Sequence, residues 1–414
     1  MKQRLIRYFL LLAALLILFF QFGMKFNSMD TVVKLTSDNL LFPENINRFL
    51  AKLKNADSGV CIIHIGDSHI QMGHFSGEVK QMLQERFGGK GSGLFFPSAL
   101  CGGYGPGNMR LSSEGIWSCD KISNPELVVP LGLTAMGIGT SDTSASMSFT
   151  LRDRKESISS MQILHNPIAG NYQIQVAGAT ISTIPFSEHS ALTTITFGQS
   201  VETAVVQYLR MANAEDSLLV YGISVNRETG GGIDYHSYGV SGGQFKYFAQ
   251  NARLLIEQLA EFKPDLMIIS LGTNDSYVRS IEKAAYKKMV LDFVQQMKAC
   301  SPKTDFMFTT ALDTRYRNEK PASLETVNSS ILEVARETDC TVWDFYTVMG
   351  GDNSMQVWKK NNLFNKDQMH LNTDGYQLQG QLLTLALARA YDAKYTGGSW
   401  SEVIQQQVSK QIRR

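Results

Sequence analysis

Metal-binding cysteine patterns are missing from this sequence. Its five cysteines, at positions 61, 101, 119, 300 and 340, form no CxxC pair and no zinc-ligand spacing, so a metal centre has no support. An excess of charge is missing too. The 39 Lys and Arg against 38 Asp and Glu leave a formal net charge of +1, without a basic stripe, and a nucleic-acid partner is not expected. Nor is the chain poor in hydrophobic residues, at 43% against 19% charged, so it can fold over most of its length. No internal repeat is visible. What remains is an ordinary globular composition over 414 residues, enough for one or two full cores, with two domains as the default.

The one long apolar run lies at the N-terminus. Lys2, Arg4 and Arg7 precede "YFLLLAALLILFFQF", and no charge follows until Lys25. All-round hydrophobicity beside three cations does not suit a soluble core helix. Residues 1–25 read instead as an N-terminal signal anchor or signal peptide. The small-x-small cleavage pattern is missing around Gln21 to Met24, and the run exceeds a typical signal core, which favours an anchor in the inner membrane. Positive flanks stay cytoplasmic, so the rest of the chain is expected on the periplasmic side of a cell envelope, anchored or secreted. There Cys101 and Cys119, in one loop-rich region, could pair. Cys61 and Cys340 sit in apolar strands and read as small core residues.

From Pro43 to Ala56 the pattern "PENINRFLAKLKNA" is helical. The run "GVCIIHIG" reads as a strand buried on both faces, and "FSGEVKQMLQERFG" as a helix ended by Gly88 and Gly89. The alternation returns downstream. "QFKYFAQNARLLIEQLAEF" predicts a helix, "PDLMIISLG" a strand, and a long helix runs from about Val278 to Lys298. "TDFMFTTAL" (strand), "SLETVNSSILEVARET" (helix), "CTVWDF" (strand) and "NTDGYQLQGQLLTLALARAYDA" (helix) complete the series. Repeats of this kind imply a parallel sheet covered by helices, with ligands at the carboxyl ends of its strands. Between Phe96 and Val225 the chain turns Gly-, Ser- and Thr-rich, with short alternating segments such as "ASMSFTLRD" and "TAVVQYLRM", as in a β-sandwich of about seven to nine strands. The expected architecture is an α/β domain in two parts, residues 40–95 and 226–395. A β-sandwich domain is inserted at 96–225, and a polar tail follows at 396–414.

Four short blocks fall at strand ends or adjoining turns: "GDSH" (Gly66 to His69), "GVSGGQ" (Gly239 to Gln244), "GTND" (Gly272 to Asp275) and "DQMH" (Asp367 to His370). Each alone is weak. In this order they resemble the GDSL or SGNH hydrolase family, whose fold is a flavodoxin-like three-layer α/β sandwich. The wider text "GDSHIQMGHFSGEVKQMLQERFGGKGSGLFFP" and "YHSYGVSGGQF" is similar to the branch that includes peptidoglycan O-acetylesterases, in which a β-rich, carbohydrate-module-like domain is inserted between the first and second blocks. The first block ends in His69 where the family's name has leucine. The resemblance makes Ser68, Gly242, Asn274 and His370 the family's namesake residues. It implies a serine esterase removing O-acetyl groups from a polysaccharide, peptidoglycan foremost, through a Ser68 acyl-enzyme and without metal or organic cofactor. The rivals are an esterase, lipase or acetyltransferase for another acylated glycan or lipid, and a catalytically inert glycan-binding protein.

The chemistry agrees with those residue types. A serine hydroxyl needs a base that takes its proton during attack, and an imidazole titrating near neutrality suits that task, which makes His370 the base. Asp367, three residues earlier, can accept the imidazole's other N–H. The oxyanion formed on attack needs donors fixed beforehand, and the resemblance supplies the backbone N–H groups of Ser68 and Gly242 and the amide of Asn274. His69 and His236 are expected near the substrate. Asp67 and Asp275 read as turn residues, His64 as a core histidine, and His165 and His189 as surface residues of the insert. Tyr104, Trp117 and Tyr172 could stack on sugars or belong to their own sheet. "GGKGSG" at 88–93 follows a helix, the wrong context for a phosphate loop.

Overall fold

The computed structural model of the chain describes Val33 and residues 40–412, apart from 90, 102–108, 153–156, 167–171, 178–181, 186–190, 211–216 and 227–230. The expected anchor at 1–25 lies outside the described residues, as do Tyr104, His189 and the side chains of Cys101 and Tyr172. Among the described residues no helix is long and apolar enough to cross a membrane.

Strand β1 (Leu40–Leu41) and helix α1 (Asn47–Lys54) lead into β2 (Val60–Gly66), the strand read from "GVCIIHIG". Its side chains divide as strand geometry requires: Val60 and Ile62 enter one core, Ile63 and Ile65 the other. A short helix α2 (Ser68–Gln71) and a longer α3 (His74–Phe87) follow, and β3 (Leu94–Phe95) begins the passage into the insert.

The insert runs through β4 (Met109–Glu114), β5 (Ser118–Lys121), β6 (Met136–Thr140), β7 (Ser144–Leu151), β8 (Ile158–His165), β9 (Tyr172–Ala177), β10 (Ser182–Pro185), β11 (Leu192–Val201), β12 (Thr203–Arg210) and β13 (Leu218–Asn226). They form a five-stranded sheet in the order β10-β9-β12-β7-β4 and a six-stranded one, β11-β8-β13-β6-β5 with β3 on β13. All pairings are antiparallel. The strand count exceeds the expected seven to nine because β6, "MGIGT", is buried at every position and shows no alternation, while β5, "SCDK", is short and polar. Where the alternation is clear, as in β7 and β12, it sends Met147, Phe149, Val206 and Tyr208 into the sandwich core. That core is continuous with the face of the parallel sheet that holds Ile63, Ile65 and Tyr238.

The chain returns as β14 (Ile233–Gly239), α4 (Phe245–Gln250), α5 (Ala252–Phe262), β15 (Leu266–Ser270), α6 (Thr273–Ser276), α7 (Lys283–Cys300), β16 (Asp305–Thr309), α8 (Leu324–Glu337), β17 (Thr341–Trp343), α9 (Phe345–Met349), α10 (Ser354–Lys360), α11 (Thr373–Tyr395) and α12 (Ser399–Ile412). The one helix read from "QFKYFAQNARLLIEQLAEF" is two, parted at Asn251, whose side chain donates to the Tyr247 carbonyl at 2.9 Å. The long helix begins at Lys283, later than expected, because Glu282 caps it through the N–H groups of Ala284 and Ala285. The six-stranded sheet has the order β1-β17-β16-β15-β2-β14, parallel except for β1. Taken in chain order, its parallel strands are arranged second, first, third, fourth, fifth, the flavodoxin-like arrangement, which opens a crevice where β2 and β15 diverge. Ser68 follows β2, and Asn274 follows β15. The residues expected as a polar tail form α12, which buries Trp400, Ile404, Val408 and Ile412 four residues apart along one face.

Candidate active site

The turn after β2 is tight enough to require glycine. A Cβ on Gly66 would stand 2.3 Å from the Ile70 Cγ1 and 2.7 Å from the Ser270 carbonyl oxygen, so α2 lies directly against the strand end. Asp67 caps this helix by accepting the His69 N–H at 3.0 Å, the bracing role expected of it. Ser68 is thereby the first helical residue, and its backbone N–H belongs to the set that a helix leaves without an internal partner.

Ser68 Oγ lies 2.8 Å from His370 Nε2, across 302 residues of chain. His370 Nδ1 lies 2.7 Å from Asp367 Oδ2, so the ring N–H donates to the carboxylate and Nε2 is left to accept from the serine hydroxyl. The other carboxylate oxygen accepts the backbone N–H groups of Met369 and His370, each at 3.0 Å. Partial burial pushes the Asp367 carboxyl up, but the His370 ring and these two N–H groups outweigh it and hold the group below the ordinary carboxylate range. Gln368 adopts a left-handed conformation (φ 59°), which folds the loop so that Asp367 reaches back to the ring. The loop has a strut: the Arg315 N–H donates to the Gln368 carbonyl at 2.9 Å, and the Arg315 guanidinium is buried against Asp313.

The third expected donor is close at hand. Asn274 Nδ2 donates to Asp67 Oδ2 at 3.2 Å and to the Gly243 carbonyl at 3.1 Å, placing it between the neighbours of Ser68 and of Gly242. Both amide hydrogens are held by these acceptors, so donation to a bound oxyanion exchanges the longer bond, that to Asp67. Gly242 is left-handed (φ 78°), and the following N–H closes the turn onto the Val240 carbonyl at 2.9 Å. Asp275, read as a turn residue, is 3% exposed and caps α4 through the Phe245 N–H. Burial pushes Asp67 and Asp275 each up to about 7.

The histidines divide differently from expectation. His69, expected near the substrate, is buried: it is 5% exposed, its Nδ1 bonds the Tyr376 hydroxyl at 2.9 Å, and its ring lies 5.2 Å from that of His370. Burial pushes it down to about 3, so it stays neutral beside the His370 ring. His236 is 1% exposed on β14; it accepts the Leu94 N–H, faces Asp234 at 3.0 Å and packs on Phe262. Its work is to fasten the start of the insert to the sheet. His165 is likewise buried, between Thr193 and the Asn166 carbonyl, and is not a surface residue. His64 is the core histidine expected, bonded to the Tyr235 and Ser270 hydroxyls. Trp117 packs against Tyr208 of its own sandwich.

Sequence reasoning missed Gln71, whose side-chain oxygen accepts the Ser241 N–H at 2.9 Å and steadies the Gly242 turn. It also missed Arg315, for which an arginine two residues after an aspartate is too common a pattern to signal anything. A cavity of about 540 Å³ opens between α2, α3 and the insert, lined by Gln71, Met72, His74, Phe96, Met136 and Ser237 among others; Ser68, Gly242, Asn274 and His370 are not in its lining. Cys119 is disulfide-bonded, and Cys61, Cys300 and Cys340 are free. Among the described residues no group of three or more His, Cys, Asp or Glu could hold a metal ion.

The family model of the GDSL-like lipase/acylhydrolase family matches residues 195–378. The matched segment begins inside the insert and runs through the second part of the α/β domain, and over that range the chain is similar to the family. The match covers the second, third and fourth blocks, while Ser68 joins them only through the fold. A solved peptidoglycan O-acetylesterase is similar over 86% of this chain and 99% of its own, with a TM-score of 0.72 at 21% identity, which extends the likeness of fold through the insert. Two other solved structures are a lipase/acylhydrolase from Enterococcus faecalis (20% identity, TM-score 0.30, 37% of this chain and 74% of that one) and an acetylxylan esterase from Geobacillus stearothermophilus (18%, 0.29, 39% and 73%). No curated protein matches the sequence. The chain is thus an ester-cleaving serine hydrolase of SGNH fold with an inserted antiparallel β domain.

Proposed function

We propose that this hydrolase removes O-acetyl groups from a cell-envelope polysaccharide, with peptidoglycan as the substrate. Ser68 attacks the ester carbonyl while His370 takes its proton, and Asp367 holds the ring and stabilises the imidazolium. The developing oxyanion is met by the N–H groups of Ser68 and Gly242 and by the Asn274 amide. The sugar leaves with the proton returned from His370, and water then releases acetate from the acyl-serine by the same relay. The observation that carries this reading is the hydrogen-bonded chain from Ser68 through His370 to Asp367 at the crevice of the sheet. Support for a glycan comes from the likeness of fold to a peptidoglycan O-acetylesterase.

The apolar N-terminal run supports a place on the periplasmic side of the inner membrane, anchored or secreted. Acetate release from O-acetylated peptidoglycan fragments tests the reading: the wild type releases acetate and Ser68→Ala does not. Equal release by both removes the serine mechanism. Release only from acetylated xylan or long-chain esters moves the substrate elsewhere.

A further inference from the structure

Gly242 carries an observation that the hydrolase fold alone does not account for. A side chain leaving this glycine would point at the insert: a Cβ there would lie 3.6 Å from Ser123 Cβ and 4.0 Å from its Oγ. The β domain therefore comes within one side-chain atom's width of the backbone that carries one of the expected oxyanion donors. Ser123 itself is only partly buried, so its hydroxyl stands at the rim and not inside the sandwich.

The loop that presents Ser123 is firmly built. Asp120, 5% exposed, accepts the Asn124 side-chain amide at 2.7 Å and the N–H groups of Val128 and Val129 at 2.5 and 2.7 Å. The Asn124 N–H closes a turn on the Lys121 carbonyl, and the Ile122 N–H ties the loop to Ala135. On the hydrolase side Gln71 and Asn274 fix the Gly242 turn through Ser241 and Gly243. A hydroxyl, a donor and an acceptor at once, is thus held against the oxyanion turn from the outside.

We propose that Ser123 is a specificity-determining residue of this site, whose hydroxyl bonds a hydroxyl or acetamido group on the sugar that bears the ester. The proposal rests on the reading of Ser68 as nucleophile and Gly242 as oxyanion donor. With the ester carbonyl at Gly242, the acylated ring lies within reach of Ser123. A glycan offers polar groups there; a long acyl chain or lipid offers none. Ser123 does not act on the reacting atoms. It selects, because its bond is made only by substrates carrying a sugar.

The test compares wild type, Ser123→Ala, Ser123→Thr and Ser123→Leu on O-acetylated cell-wall fragments, acetylated xylan and p-nitrophenyl acetate. In Ser123→Ala the ratio of glycan to small-ester kcat/KM falls about fivefold, the worth of one neutral hydrogen bond, chiefly through KM. The threonine variant restores most of that ratio, and the leucine variant lowers it further. An unchanged ratio in both the alanine and leucine variants of an active enzyme overturns the role of Ser123 alone. A wild type that cleaves the small ester but no acetylated glycan overturns the glycan reading and this proposal together.

Discussion

The two ends of the Ser68–His370 hydrogen bond sit in unlike surroundings. Around Ser68 the chain is packed shut: Asp67 and His69 are 1% and 5% exposed, and α2 rests on strand ends that admit only glycine. Around His370 it is half open, with 25% of the histidine side chain and 49% of the Asp367 side chain exposed. Ser68 is positioned by tertiary packing, whereas His370 is positioned by hydrogen bonds within its own loop and by the strut from Arg315. Substitutions of the buried neighbours of Ser68 therefore endanger the fold, and those of the half-open His370 and Asp367 endanger the chemistry first.

Removing either reacting side chain gives the largest expected effect. Ser68→Ala and His370→Ala each lower kcat on p-nitrophenyl acetate by about four to six orders of magnitude. If the contrast holds, His370→Ala unfolds within about 0.5 kcal/mol of wild type in urea, and a collapse in stability would break the comparison. Asn274→Ala loses about two to three orders in kcat. Asp367→Asn costs roughly one to two orders less than loss of Ser68, because it orients the base without reacting; a loss as large as that of Ser68→Ala would show a heavier role for this open-sided acid.

Arg315→Met leaves Asp313 buried without its partner and destabilises the protein by about 3 kcal/mol or more, read from denaturant unfolding. The smallest effect is a dependence on pH. Asp67 and Asp275 hold protons up to about 7 in the folded protein, while the unfolded chain releases them near the ordinary carboxyl value. The folded state thus binds more protons in that window, and stability from these groups falls as pH rises through it. Asp275→Asn removes its share, so the melting temperature of the variant gains on wild type between pH 4.5 and 8; parallel curves would refute the buried-acid account.

What could be read in the sequence follows the same division. The α/β units were legible because each strand there is a continuous apolar run, and the first three blocks follow the ends of β2, β14 and β15, while the fourth lies in the loop before α11. Asp67 and Asp275 were legible as turn residues, though not as buried acids, since burial depends on what packs over them from afar. His236 and His165 misled because their partners, the Leu94 N–H and Thr193, are 142 and 28 residues away and leave no local pattern. In the insert, β6 is buried throughout and lacks the alternation that marks a half-exposed strand. The approach of Ser123 to Gly242 joins two domains through a glycine with no side chain and has no sequence signature at all.

The 302 residues that separate Ser68 from His370 also set a timetable. At synthesis rates of about 5–20 residues per second, roughly 15 to 60 s pass between the emergence of Ser68 and that of His370. Throughout that interval the newborn chain carries Ser68 without the imidazole that bonds it in the folded protein. An enzyme able to cut esters is thereby kept inert until its fourth block has been made.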